Sequence, residues 1–71
     1  MTKENYMYFV GALVRHHRKL QKVTQQELAE KAGVNKTRIV YIERGVDNPT
    51  IATMKRIADA LNVPLNFFFD F

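Results

Sequence analysis

Apolar residues recur along this chain at three- and four-residue steps, and small polar or turn-forming residues interrupt the recurrence at spaced intervals. Between about Asn5 and Gln21, Phe9, Val10, Leu13, Val14 and His17 share one side of a predicted helix. Thr24-Gln25-Gln26-Glu27 fits a capping box, in which a hydroxyl and a carboxylate each satisfy a free backbone N–H of the other residue. It opens a second helix with Leu28, Ala29 and Ala32 inward, and Gly33 ends that helix in the left-handed conformation that glycine adopts cheaply. Asn35 is a strong N-cap for a third helix. Ile39 and Ile42 are its inward residues, while Lys36, Thr37, Arg38, Val40, Tyr41 and Arg44 fall mostly elsewhere on the wheel. Gly45 ends it, and Asp47-Asn48-Pro49 is turn chemistry. Thr50 caps a fourth helix with Ile51, Met54, Ile57, Ala58 and Leu61 as its buried stripe, and Asn62 fits a left-handed C-terminal position. Pro64 suits the start of a short last helix, Leu65 to Asp70.

No strand pattern occurs, so the expected fold is all-α, a compact five-helix bundle. The turn around Gly33 is too short for its two helices to pack antiparallel. They must cross steeply, as in a helix-turn-helix.

Length allows one domain over residues 1–71. A chain this short buries only about 60% of the surface its unfolded form exposes, so its stability is marginal unless something adds to it. It has no cysteine, which removes disulfides and thiolate metal sites. His16 and His17 are adjacent and point about 100° apart on a helix, poor geometry for chelation, so a structural or surface role is expected and no metal. The apolar run from Tyr6 to Val14 is too short to span a bilayer, and no small-residue cleavage site follows it. The expectation is a cytoplasmic, bacterial or phage-encoded protein that takes no cofactor, no small-molecule ligand and no membrane. No nucleophile–base pair, Gly-rich phosphate loop or paired carboxylate stands out, which argues against an enzyme.

Charge changes the picture more. The chain carries a net +4, and residues 15–44 hold the whole excess: eight basic residues against three acidic ones. An anionic partner follows, with nucleic acid favoured over an acidic membrane because the basic residues cross two helices and a turn rather than flank one apolar face. Arg15, Lys22 and Arg44 sit at helix ends near one surface and stand equally as phosphate contacts or as solvated charge.

The run from Val14-Arg15 through Val23-Thr24-Gln25-Gln26-Glu27-Leu28-Ala29-Glu30-Lys31-Ala32-Gly33-Val34, Ile42-Glu43-Arg44-Gly45 and Asn48-Pro49-Thr50 to Leu61-Asn62-Val63 resembles the Cro/C1 (phage repressor-like, XRE) helix-turn-helix family. The resemblance covers about residues 8 to 69. It implies a lambda-repressor-like fold and a homodimer bound to a double-stranded DNA operator with inverted half-sites, as in phage-type repressors and the controller proteins of restriction–modification systems. It implies that Asn35, Lys36, Thr37 and Tyr41 fall where relatives contact base edges, and Arg38 is counted with them. Gln25 falls where relatives grip a phosphate. Arg18 and Glu43 match a partly buried structural salt bridge, so Glu43 is not expected to touch DNA. Glu30, with Gln26 beside it, matches the place where activating relatives touch RNA polymerase; the plainer alternative is a solvated charge.

Two positions depart from the family. His17 stands where leucine is usual, and Lys22 replaces a common glycine before the second helix. At the C-terminus, Phe67, Phe68, Phe69 and Phe71 put four aromatics in five residues. A small core can take two, and the rest would form an exposed patch. Relatives dimerise through their last helix, so Leu65, Phe67, Phe68, Phe69 and Phe71 are the expected dimer interface. The alternative function is an antitoxin or other interaction module whose aromatic C-terminus masks a partner protein.

Overall fold

A computed structural model describes residues 2–69, and each helix begins and ends for a reason visible in its flanking residues. Helix α1 spans Lys3–Leu20, α2 Gln25–Ala32, α3 Lys36–Arg44 and α4 Ile51–Leu61, followed by a 3-10 turn at Leu65–Phe69. Thr2 caps α1 by accepting the Asn5 N–H at 3.2 Å, which starts the helix two residues before the expected Asn5. Thr24 and Glu27 form the full capping box on α2. Its hydrogen bonds, first from the Thr24 backbone N–H and then from the Thr24 hydroxyl, hold the Glu27 carboxyl below its usual pKa. Asn35 and Thr50 cap α3 and α4, and Gly33, Gly45 and Asn62 close α2, α3 and α4 in left-handed conformations.

The count of five helices needs correction. Among the described residues four are α-helices; the fifth segment is a 3-10 turn with an i→i+3 bond from the Phe67 N–H to the Pro64 carbonyl. Asp70, expected at its end, lies outside the described residues.

The core collects Val10 and Val14 from α1, Leu28, Ala29 and Ala32 from α2, and Ile39 and Ile42 from α3. Met54, Ile57, Ala58 and Leu61 of α4 and Phe68 of the 3-10 turn complete it. Three expected inward positions are corrected. Ile51 is exposed, because as the first residue of α4 it precedes the part of the helix that lies over the core. Phe9 is also exposed, and His17 is only half-buried: the inward face of α1 is turned toward Val10, Gly11, Val14 and Arg18.

Gly11 explains that turn. It is buried where α1 passes the end of α3, and a Cβ on it would collide with the Ile42 carbonyl oxygen and lie 3.0 Å from that of Glu43. Backbone meets backbone here, so neither side can yield by changing a rotamer.

Gly11→Ala should therefore cost several times more than Gly33→Ala. Gly33 has a φ of 67° but open space around it, so alanine there pays only the left-handed penalty of about 1–2 kcal/mol. Urea denaturation of the two variants checks the order. Equal midpoints would mean that α1 and α3 are not in backbone contact.

Candidate nucleic-acid interface

Helices α2 and α3 pack on each other with Gly33 between them and Asn35 starting α3, so the N-terminal half of α3 projects at the surface. Asn35, Lys36, Thr37 and Tyr41 are all exposed there. Their chemistries differ. The Asn35 side-chain oxygen accepts the Thr37 N–H at 2.7 Å, which leaves only its amide N–H groups to donate outward. A bidentate reading of adenine needs both halves of the amide, so capping narrows what Asn35 offers. Lys36 has no hydrogen-bond or ion-pair partner among the described residues. Tyr41 presents its ring, 46% of the residue being exposed. Arg38 is half-buried and its Nε donates to Asp47 Oδ2 at 3.0 Å.

Behind this row, Arg15, Gln25 and Arg44 come together around one open depression, with Tyr8, Val40 and Glu43 completing its lining. The capping box occupies the N–H groups of Thr24 and Glu27, so Gln25 and Gln26 keep the open backbone donors at the start of α2. Two cations and a helix N-terminus around one hollow suit a phosphate. Lys22 stands apart from them in the turn after α1, beside Gln21, whose amide is bonded to the Leu61 carbonyl at 2.6 Å. Its φ is 60°, so the lysine holds the left-handed conformation for which glycine is better suited. Gln26 and Glu30 are hydrogen-bonded to each other at 2.9 Å and line a second depression with Asn35, Lys36 and Thr37.

Arg18 and Glu43 meet inside. Nε and Nη2 of the guanidinium donate to the two carboxylate oxygens at 2.7 and 3.0 Å, and Nη1 donates to the Val23 carbonyl at 2.9 Å. The side chains are 10% and 3% exposed. The Gln25 amide adds a fourth bond, to Glu43 Oε1 at 3.2 Å. One cluster thus joins α1, the turn before α2, the first residue of α2 and the end of α3, and its Gln25 and Glu43 line the open hollow.

The aromatic C-terminus divides. Phe68 was expected at a dimer interface but is fully buried in the core of its own chain, out of reach of a second copy. Phe69 stacks on Tyr6 with ring centroids 5.9 Å apart, and Leu65 is half-buried. Phe67 stays 39% exposed and takes His17 edge-on at 4.5 Å, which is where the unusual histidine of α1 goes. Phe71 lies outside the described residues. His16 and His17 pack edge to face, and no group of three metal-ligating side chains forms among the described residues. No helix among them is long and apolar enough to cross a membrane.

A helix-turn-helix family model (HTH_3) matches residues 14–68. The HTH-type transcriptional regulator SutR of Escherichia coli is 37% identical over 65 residues, covering 92% of this chain and 36% of SutR, so the chain spans about a third of that relative. The structure of SinR, a Bacillus subtilis master regulator for biofilm formation solved in complex with DNA, superposes with a TM-score of 0.82 at 34% identity, covering 86% of this chain and 98% of SinR's. The restriction–modification controller protein C.Esp1396I superposes with a TM-score of 0.83 at 31% identity, covering 90% of this chain and 84% of its own.

Two variants separate the structural residues here from the surface ones. Arg18→Met should destabilise the protein by about 3–5 kcal/mol, because it strands a buried carboxylate, and adding Glu43→Leu should return most of that loss. A denaturation-based double-mutant cycle reads the coupling, and additive losses would contradict it. Lys22→Gly should instead raise stability, by about 1 kcal/mol, through relief of the left-handed lysine. An unchanged or lowered midpoint would show that the turn is not strained.

Proposed function

The chain belongs to the helix-turn-helix family, and from that premise we propose that it is a transcriptional regulator that binds double-stranded DNA sequence-specifically, as a homodimer on an inverted-repeat operator. The observation that carries this reading is the exposed row Lys36, Thr37 and Tyr41 on the second helix of the motif, with Arg15, Gln25 and Arg44 grouped behind it. In the complex α3 lies in the major groove. Lys36 donates to a guanine O6 or N7, the Thr37 methyl meets a thymine methyl, and Tyr41, Asn35 and Arg38 reach the neighbouring base edges. Arg15, Arg44, Lys22 and the start of α2 at Gln25 bind phosphates and fix the register without reading sequence. The DNA held by SinR and the regulatory role in SutR's name support the partner and the activity.

Two copies joined near Phe67 would set their recognition helices about 34–36 Å apart, one turn of the duplex, so the operator consists of two inverted half-sites. Exposed Phe67 supports this contact, together with half-buried Leu65 and Phe69. Burial of that patch would add stability that a small chain needs. Occupancy then follows protein concentration, which suits a gene that acts on its own promoter, as a restriction–modification controller or a phage-type repressor. Where the operator lies just upstream of a promoter, Glu30 and Gln26 supply an acidic contact for RNA polymerase.

Selection of bound duplexes from a random pool should enrich an inverted repeat. Lys36→Ala should relax one position per half-site at a cost of about 1–3 kcal/mol, whereas Arg15→Ala should weaken all sequences alike and lower the salt slope by about one counterion. Recovery of unselected sequences with salt-sensitive binding only would overturn the regulator. Phe67→Arg, which spares the core residue Phe68, should sediment as a folded monomer; a folded dimer would move the interface elsewhere.

A further inference from the structure

Of the five side chains at and after the start of α3 that the proposed complex uses to read bases, Arg38 is the one that pairs with a charged partner among the described residues. Its Nε–H donates to Asp47 Oδ2 at 3.0 Å, with the two side chains 40% and 27% exposed. Asp47 does not dangle. The Val46 and Asp47 N–H groups both bond to the Tyr41 carbonyl, at 3.1 and 3.3 Å, so the turn that carries the carboxylate is hooked back onto the recognition helix. Three residues further on, Thr50 is fixed as the cap of α4 by its bond from the Thr53 N–H. The carboxylate is held between two anchored points of backbone.

A carboxylate that takes only Nε leaves the far edge of the guanidinium, Nη1 and Nη2, unused, and among the described residues no second acceptor engages it. That edge is a planar fork of parallel donors, the shape that matches O6 and N7 of one guanine. Arg38 and Tyr41 are three apart on α3 and share one side of it.

We infer that Asp47 is a positioning residue for specificity: it holds Arg38 with its outer donor edge presented to the major groove, so that Arg38 reads a guanine in each half-site. The inference rests on the DNA-binding reading above. Asp47 touches no base. Its negative charge works against general attraction to phosphate while its hydrogen bond sharpens one base preference, so the two effects of removing it have opposite signs.

The test is selection from random duplexes with the full chain in four forms: the native sequence, Arg38→Ala, Asp47→Asn and Asp47→Glu, with affinity for a random-sequence duplex measured alongside. The native protein should enrich guanine at one position of each half-site, and Arg38→Ala should lose that preference alone. Asp47→Asn should reduce it about tenfold, the scale of one bidentate base contact, while leaving the other positions as they were. Its affinity for random DNA should rise, since it is one unit more positive. Asp47→Glu should restore part of the preference. Thermal unfolding of each variant confirms that it is folded, and the half-exposed position of the pair makes a large loss unexpected. An unchanged guanine preference in Asp47→Asn would overturn the inference. So would an even change at every position, which is what charge alone produces, or an Arg38→Ala profile identical to the native one. A native protein that enriches no sequence would overturn the DNA-binding reading itself, a result visible before any variant is compared.

Discussion

The ion pair between Arg18 and Glu43 is the contact on which the other parts of this molecule depend. Buried charges are costly unless every donor and acceptor is answered. Here the guanidinium spends one N–H on the Val23 carbonyl and two on the carboxylate, and the carboxylate takes a further bond from Gln25. No buried side-chain nitrogen or oxygen is left without a partner among the described residues. The pair forms only because α1 can pass close to the end of α3, and Gly11 is what lets the two backbones approach. Seven residues after Gly11, about two helical turns along α1, Arg18 arrives level with Glu43. A constraint with no side chain and a pair with two charges thus fix the same crossing. That crossing sets how α3 stands against the start of α2, the two elements that the proposed complex brings to the DNA together.

Around this polar joint the apolar core is small, and its last piece comes from the far end of the chain. Phe68 plugs the bundle from the 3-10 turn, so the C-terminal segment is part of the protomer's own fold before it is anything else. A surface for a second copy has to be built from what that burial leaves outside, chiefly Phe67 and the side chains next to it. The same division explains His17. At the edge of the core, its half-buried ring packs edge-on against Phe67.

Caps and turns were the most legible features of the sequence. Thr24 with Glu27, Asn35, Thr50, Gly33, Gly45 and Asn62 all act within a few residues of themselves, and short-range chemistry does not need the fold to be known. The inward residues of α2 and α3 were equally readable, since each short helix has one face to bury. Misreadings came where a decision depended on a distant partner. The wheel of α1 pointed to Phe9 and His17, but the approach to α3 at Gly11 turned Gly11 and Arg18 inward instead. In the sequence Gly11 looked like an interruption. Ile51 matched the stripe of α4 in period while lying ahead of the core in position. Among the surface residues, the grouping of Arg15, Gln25 and Arg44 depends on three elements meeting, and Arg38 reaching Asp47 depends on a turn folding back; neither has a local signature.

The surface residues also differ in what binding would ask of them. Asn35 has its oxygen fixed by the Thr37 N–H, Gln25 its amide by Glu43, and Arg38 its Nε by Asp47. Side chains held in this way have already lost much of the rotamer freedom that a contact would otherwise cost, about 0.5–1.5 kcal/mol for each long side chain immobilised. Lys36 has no such tether among the described residues and pays that cost on contact. In the proposed complex a tethered donor offers one direction and one distance, so it distinguishes bases sharply and tolerates misfit badly. A free lysine adapts, gives up entropy for charge attraction, and discriminates less. In the proposed complex the fixed donors Asn35 and Arg38 would therefore carry the sharper base preferences, and the mobile Lys36 a more adaptable one.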